Sequence, residues 1–160
     1  MDNKRNLPVL ILSVIIAEGV GALSAYLGMF NNQTYQSLIK PSFTPPSWLF
    51  GVVWPILYLL MAIAAYRVWL KGRSGEDTTK ALILYGIQLF LNFMWTILFF
   101  RFRLIGLAFF ELMLLLVFIL LTTFEFFKHD KLAGVLMIPY ILWVSFAGVL
   151  NFTFWMLNNM

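Results

Sequence analysis

Five long apolar runs dominate the chain, at positions 7–28, 48–70, 81–100, 104–127 and 133–157, with short polar or Pro/Gly-bearing connections between them. A helix that crosses ~30 Å of hydrocarbon needs about 20 mostly apolar residues, and each run meets that length. A membrane-spanning strand would be about 10 residues long and would alternate polar with apolar, which these runs do not. The pattern predicts an all-α fold: an integral membrane bundle of five transmembrane helices, forming one domain over residues 1–160. The connection 29–47 is the longest and carries Pro41, Pro45 and Pro46. The connection 71–80 reads as a solvated turn, with Gly72, Gly75, Glu76 and Asp77. Residues 101–103 are so few that the third and fourth spans must form an antiparallel hairpin. Lys128, His129, Asp130 and Lys131 make the fourth connection a polar turn. Pro45 and Pro46 suit the first turn of the second helix. Pro55 and Pro139 fall inside the second and fifth spans, where each is expected to kink its helix.

Composition agrees. Hydrophobic residues make up 62% of the chain and charged ones 11%, where a soluble domain has roughly 45–50% and about 25%. That excludes a water-soluble enzyme of ordinary design, and it excludes disorder. With no cysteine and one histidine, His129, no metal centre is expected, and no cofactor is required. The net charge of +4 is scattered between apolar runs and forms no nucleic-acid patch. Five spans put the termini on opposite sides. Lys4, Arg5, Arg67, Lys71, Arg73, Lys80, Lys128 and Lys131 fall on the N-terminal side, against Lys40, Arg101 and Arg103 on the other. This asymmetry predicts a multi-pass cell-membrane protein with a cytoplasmic N-terminus and an external C-terminus. The first run is longer than a signal-peptide core and no small-x-small site follows it, so it is expected to remain as a span.

The few polar residues inside the spans carry the candidate chemistry. At ~1.5 Å per residue, Glu18, Trp54, Tyr58, Gln88, Asn92, Glu111, Trp143 and Asn151 all lie roughly 9–21 Å below the face that bears the first loop. Polar groups in lipid are costly, so they should face one another or a cavity. Tyr85, Gln88, Asn92, Trp95 and Thr96 form one stripe on the third span. Trp143, Ala147, Leu150, Asn151 and Phe154 form one on the fifth, and Trp54, Tyr58, Ala62, Ala65 and Trp69 one on the second. Mixed aromatic and amide walls suit a large flat apolar ligand with a few polar edges, but Gln88 and Asn92 serve equally well as hydrogen-bonding glue between helices. Glu18 and Glu111 are acids without a basic neighbour at their depth, open to a ligand or proton role or to a neutral interhelical bond. Arg67 and Glu125, near span ends, are expected to snorkel. Ala17, Gly21 and Ala25 on the first span permit close helix contact, within the bundle or in a dimer.

The stretch Lys40-Pro41-Ser42-Phe43-Thr44-Pro45-Pro46-Ser47-Trp48-Leu49-Phe50-Gly51-Val52-Val53-Trp54, followed by Leu57-Tyr58-Leu59-Leu60-Met61, resembles the translocator protein family, also called the tryptophan-rich sensory proteins or peripheral-type benzodiazepine receptors. Tyr85-Gly86-Ile87-Gln88-Leu89-Phe90-Leu91-Asn92-Phe93-Met94-Trp95 and Pro139-Tyr140-Ile141-Leu142-Trp143, with Ala147 and Leu150-Asn151-Phe152, agree with it. The resemblance, closest to bacterial-type members, implies a dimeric five-helix bundle whose pocket is lidded by the first loop. It implies binding of porphyrins, sterols and synthetic benzodiazepine-type ligands. In some bacterial members it implies light- and oxygen-dependent breakdown of protoporphyrin IX, with Trp54 and Trp143 at the matching catalytic positions. Trp95, Ala147 and Leu150 match pocket positions, with Tyr35, Pro45, Gln88, Asn92 and Phe146 as companions. Phe43 stands where many members have Trp, and Leu107 where mammalian members have a pocket Trp. The sterol-recognition pattern near the end of the fifth span is broken, because Phe152 replaces its Tyr and no base follows; this argues for tetrapyrroles over sterols.

Three functions compete on this reading. The first is a membrane receptor or sensor for tetrapyrroles such as protoporphyrin IX. The second adds photo-oxidative degradation, for which no ordinary acid–base or nucleophile set is present. The third is a transporter or channel for porphyrins, sterols or other lipophiles, although five spans without a repeat are unlike the inverted-repeat plan.

Overall fold

A computed structural model describes the backbone of residues 3–29 and 32–159, and the side chains of residues 6–28 and 35–159. The described residues form seven helices: α1 (Asn3–Met29), α2 (Asn32–Ser37), α3 (Ser47–Arg73), α4 (Thr79–Thr96), α5 (Ile105–His129), α6 (Lys131–Leu136) and α7 (Ile138–Asn158). A π-helical stretch, Ile97–Arg101, prolongs α4. No strand occurs among the described residues. Five segments are long and apolar enough to cross a bilayer: Asn6–Gly28, Ser47–Arg73, Thr79–Arg101, Ile105–His129 and Lys131–Asn158. Their large apolar side chains point outward as well as inward; Ile15, Phe90, Phe124 and Leu142 are all exposed. That arrangement is stable only where the surrounding solvent is itself apolar.

α1 packs on α3, α4 on α5, and α5 on α7. Small residues set the first of these contacts. Ala17 and Ser24 of α1 are buried, Gly21 faces the Tyr58 ring and Gly28 faces Thr96. The small-residue face of α1 is therefore spent inside the bundle, and Ala25 is left on the outside. Met61, Ala62, Ala64 and Val68 of α3 form the centre of the core with Leu112, Leu115 and Ile119 of α5.

The prolines act differently from one another. Pro55 lies within a continuous α3. The fifth span is interrupted at Met137, and Pro139 opens α7, where a missing N–H forfeits no intrahelical bond. Pro46 caps α3 from outside rather than lying within its first turn. The α4–α5 hairpin closes through Arg103, whose φ is +55°.

The ends of the bundle are chemically distinct. At the α3–α4 and α5–α6 end, Arg67 pairs with Asp130 through Nε and Nη2, both at 3.0 Å. Glu125 pairs with Lys80 (3.1 Å) and Lys128 (2.7 Å), and His129 Nδ1 meets Glu76 Oε2 at 2.7 Å. Arg67 and Glu125, expected to snorkel, are tied to ion-pair partners at this end. At the other end lies the first loop. Asn158 of α7 holds it there: its Oδ1 accepts from the Ile39 N–H and its Nδ2 donates to the Ile39 carbonyl, each at 2.9 Å.

Candidate functional site

Beneath the first loop, α2, α3, the end of α4, and α7 converge on a chamber lined by eleven residues, eight of them aromatic. The loop supplies Tyr35. α3 supplies Phe50 and Trp54, one turn apart. α4 and its π-helical end supply Trp95, Phe99 and Phe100. α7 supplies Trp143, Ala147, Leu150, Asn151 and Phe154, which share one face at helical spacing. The π-helical stretch sets the neighbouring rings of Phe99 and Phe100 edge to face, with centroids 4.8 Å apart. Such π turns recur at functional sites because they re-aim side chains that a regular helix would splay.

The rings close on one another. Tyr35 lies 5.4 Å from Phe100 and 5.9 Å from Phe154 between ring centroids, and Phe50 meets Trp143 at 5.6 Å. Lys40 caps the outer face of Tyr35, 4.7 Å from its ring centre. Burial pushes the Tyr35 phenol up from its ordinary value. The space left in the chamber is about 20 Å³, room for about one water. A drug-sized ligand needs roughly 300 Å³ or more. At that volume the chamber admits no such ligand as it stands, and a large occupant must part the rings that line it.

Two polar features touch the chamber in opposite ways. The Trp95 indole donates to Asn151 Oδ1 at 3.0 Å, and Asn151 Nδ2 donates to the Ile105 carbonyl at 2.9 Å. Asn151 is therefore engaged at both ends of its amide and fixes the Trp95 ring. The Trp143 Nε1, by contrast, is buried without a hydrogen-bond partner. A buried N–H left unpaired costs about 1–3 kcal/mol.

Below the chamber floor sits a second polar layer. Tyr58 Oη donates to Asn92 Oδ1 at 3.1 Å, Asn92 Nδ2 donates to Tyr140 Oη at 2.6 Å, and Tyr140 Oη donates to Gln88 Oε1 at 2.8 Å. Gln88 Nε2 reaches Met61 Sδ at 3.8 Å. Gln88 and Asn92 are almost wholly buried. These amides bind α3, α4 and α7 together instead of lining the chamber. Trp54 bridges the two layers, with its ring 5.7 Å from Tyr58 and 6.4 Å from Tyr140.

Of the residues singled out in the sequence, Tyr35, Trp54, Trp95, Trp143, Ala147, Leu150 and Asn151 come together at the chamber. Tyr58, Gln88 and Asn92 form the layer beneath. Phe146 stands behind the wall, with its ring between Trp143 and the loop's Phe43. Pro45 lies in the loop and outside the lining. Glu18 is half-buried on α1 and outside the lining. The Glu111 carboxylate is buried without a hydrogen-bond partner, likewise away from it. Residues 30 and 31 of the expected lid lie outside the described residues. Phe50, Phe99, Phe100 and the Tyr140 hub were not singled out. For Tyr140, its depth beside Trp143 and its place after Pro139 were available signals. For the phenylalanines, the apolar runs that hold them offer none.

A family model described as the TspO/MBR family matches residues 12–156. A tryptophan-rich protein TspO of Chlorobaculum tepidum is 42% identical over 126 residues, covering 78% of each chain. One of Archaeoglobus fulgidus is 36% identical over 156 residues, covering 96% of this chain and 99% of the other. The translocator protein of Homo sapiens is 38% identical over 126 residues, covering 78% and 75%.

Proposed function

The chain belongs to the TspO/MBR family, and on that premise we propose that it is a multi-pass membrane receptor that takes up flat tetrapyrroles, of which protoporphyrin IX is the model, in the aromatic chamber beneath its first loop. One observation carries the reading: a chamber walled by eight aromatic rings in which the Trp143 N–H is buried and unpaired. The rings offer faces for stacking. The indole offers a single donor for a propionate or ring acceptor. The 20 Å³ that remain in the closed state make binding an opening event, in which the ligand selects a lifted loop and parted rings. Light-dependent breakdown extends the proposal: the photoexcited porphyrin passes its energy to dioxygen, which adds to the macrocycle and opens it, beside Trp54 and Trp143, the indoles at the wall whose replacement tests their part in it. The basic residues of the α3–α4 and α5–α6 end favour placing that end, with the N-terminus, in the cytoplasm. A homodimer, if formed, uses a face other than the buried small residues of α1.

The test is spectroscopic. Purified protein is mixed with protoporphyrin IX in the dark and then illuminated in air. Quenching of tryptophan fluorescence on mixing, saturable and weakened in Trp143→Phe, is expected; an unchanged signal on mixing would refute binding. Loss of the porphyrin absorbance in light, slowed in Trp54→Phe and Trp143→Phe, is expected. If both variants bleach it at the parental rate, these indoles take no part.

A further inference from the structure

At the end of the bundle away from the lid, the last turns of α3 and the α5–α6 junction leave a groove of about 230 Å³. Arg67, Leu70 and Lys71 line it at i, i+3 and i+4 on one face of α3, Ser74 lines it just past the helix end, and Asp130 closes it from the junction. The groove is built around a fixed cation. Asp130 Oδ1 accepts from Arg67 Nε at 3.0 Å and from the Ala133 N–H at 2.8 Å, and Oδ2 accepts from Arg67 Nη2 at 3.0 Å. A guanidinium has five N–H groups; Asp130 engages only Nε and Nη2, and the Arg67 side chain remains 38% exposed. Lys71, one turn further on, makes no ion pair with the described residues. The two bases against one acid leave a net positive charge. The Ser74 hydroxyl donates to the Leu70 carbonyl at 3.1 Å. The lining is rich in N–H donors, and its carboxylate already accepts three hydrogen bonds from within the fold, so it suits an oxyanion.

Its position says where the oxyanion comes from. α3 is an apolar span that ends at Arg73. Just before that end, Trp69 stacks on Tyr66, with centroids 6.2 Å apart, and lies under the Arg73 guanidinium at 5.7 Å. Amphipathic rings and bases in this order mark the level of lipid headgroups. Leu70 lines the groove, and α6, packed against α3, exposes Leu132 and Val135, apolar surface for acyl chains. We propose that this groove binds the phosphate of an anionic phospholipid, with Arg67 and Lys71 donating to its oxygens. The site is independent of the tetrapyrrole chamber.

Native mass spectrometry of the full chain in detergent, with phosphatidylglycerol or phosphatidylcholine added, tests this. The expected result is preferential retention of phosphatidylglycerol. Lys71→Gln, which leaves the Arg67–Asp130 pair intact, should weaken retention about fivefold. Lys71→Arg should restore it, and Arg101→Gln at the opposite end should leave it unchanged. Equal retention of the two lipids, or parental retention in Lys71→Gln, would overturn the proposal. Inorganic phosphate in large excess should not displace the lipid. Displacement would mean that the groove serves a free phosphate instead, and would overturn its assignment to lipid.

Discussion

Replacing Asn158 with Ala should unlatch the lid. The side chain bonds both the N–H and the carbonyl of Ile39, across 119 residues of sequence, at 2.9 Å each. Its third bond, Nδ2 to the Phe154 carbonyl, stays within α7 and does not bear on the loop. Both loop bonds are solvent-exposed, so each falls in the lower half of the usual range, about 0.5–1 kcal/mol, and together they hold the loop by about 1–2 kcal/mol. Losing that shifts the open–closed equilibrium by roughly 5–30-fold. Since the closed chamber leaves about 20 Å³, the ligand enters only through the open form, and its association rate should rise by the same factor. Two measurements read the change: hydrogen exchange over the segment that contains Leu38 and Ile39, and stopped-flow quenching by protoporphyrin IX. Asn158→Asp, which keeps the acceptor for the Ile39 N–H and loses the donor, should fall between the parent and Ala. Faster exchange without faster association would show that the loop opens but does not gate the chamber. If neither changes, Asn158 is no latch.

Three further outcomes follow from the packing. Gly21→Ala places a methyl group inside the Tyr58 ring and should destabilise the bundle by about 1–3 kcal/mol in detergent thermal unfolding. Gly19→Ala, with open space around it, is the control, and equal melting of the two would refute the α1–α3 contact. Asn92→Leu removes the link between Tyr58 and Tyr140 and should lower stability by roughly 1–2 kcal/mol, since bonds between membrane helices are individually weak; an unchanged melting temperature would show that the layer is not glue. The Arg67 hydrogen bonds, the Ala133 N–H and the nearby positive charges hold the Asp130 carboxyl below its ordinary value of 3.8. Because the folded value is depressed, its stabilisation is present above that ordinary value and is lost as pH falls through the lower folded value. Asp130→Asn should flatten the acid limb of the stability profile, and an unaltered limb would contradict the assignment.

Much of the architecture was legible in the chain. Span number, the α4–α5 hairpin and the mixed aromatic stripe of α7 are local properties, fixed by hydrocarbon thickness and by the 3.6-residue period. In lipid, however, the apolar faces of a helix do not distinguish inside from outside, so periodicity orients these helices only weakly. Phe50, Phe99 and Phe100 therefore read like any other apolar residue until the π-helical turn and the approach of α7 aimed them at one chamber. Gln88 and Asn92 had two readings of equal standing. The choice between them needed the relative rotation and height of α3, α4 and α7, which bring Tyr58 and Tyr140 within hydrogen-bonding reach of the amides.

The sequence by itself determined that this chain lives in a bilayer as five helices with its polar groups gathered at a common depth, because hydrophobic length and charge placement are properties of the linear chain. Only the tertiary structure decided which of those groups bond to one another and which line the chamber, that the chamber is narrow as it stands, and that Asn158 and Ile39, 119 residues apart, meet and tie the loop to α7. Hydrogen bonds act over about 3 Å, and that distance is set by how helices pack against one another.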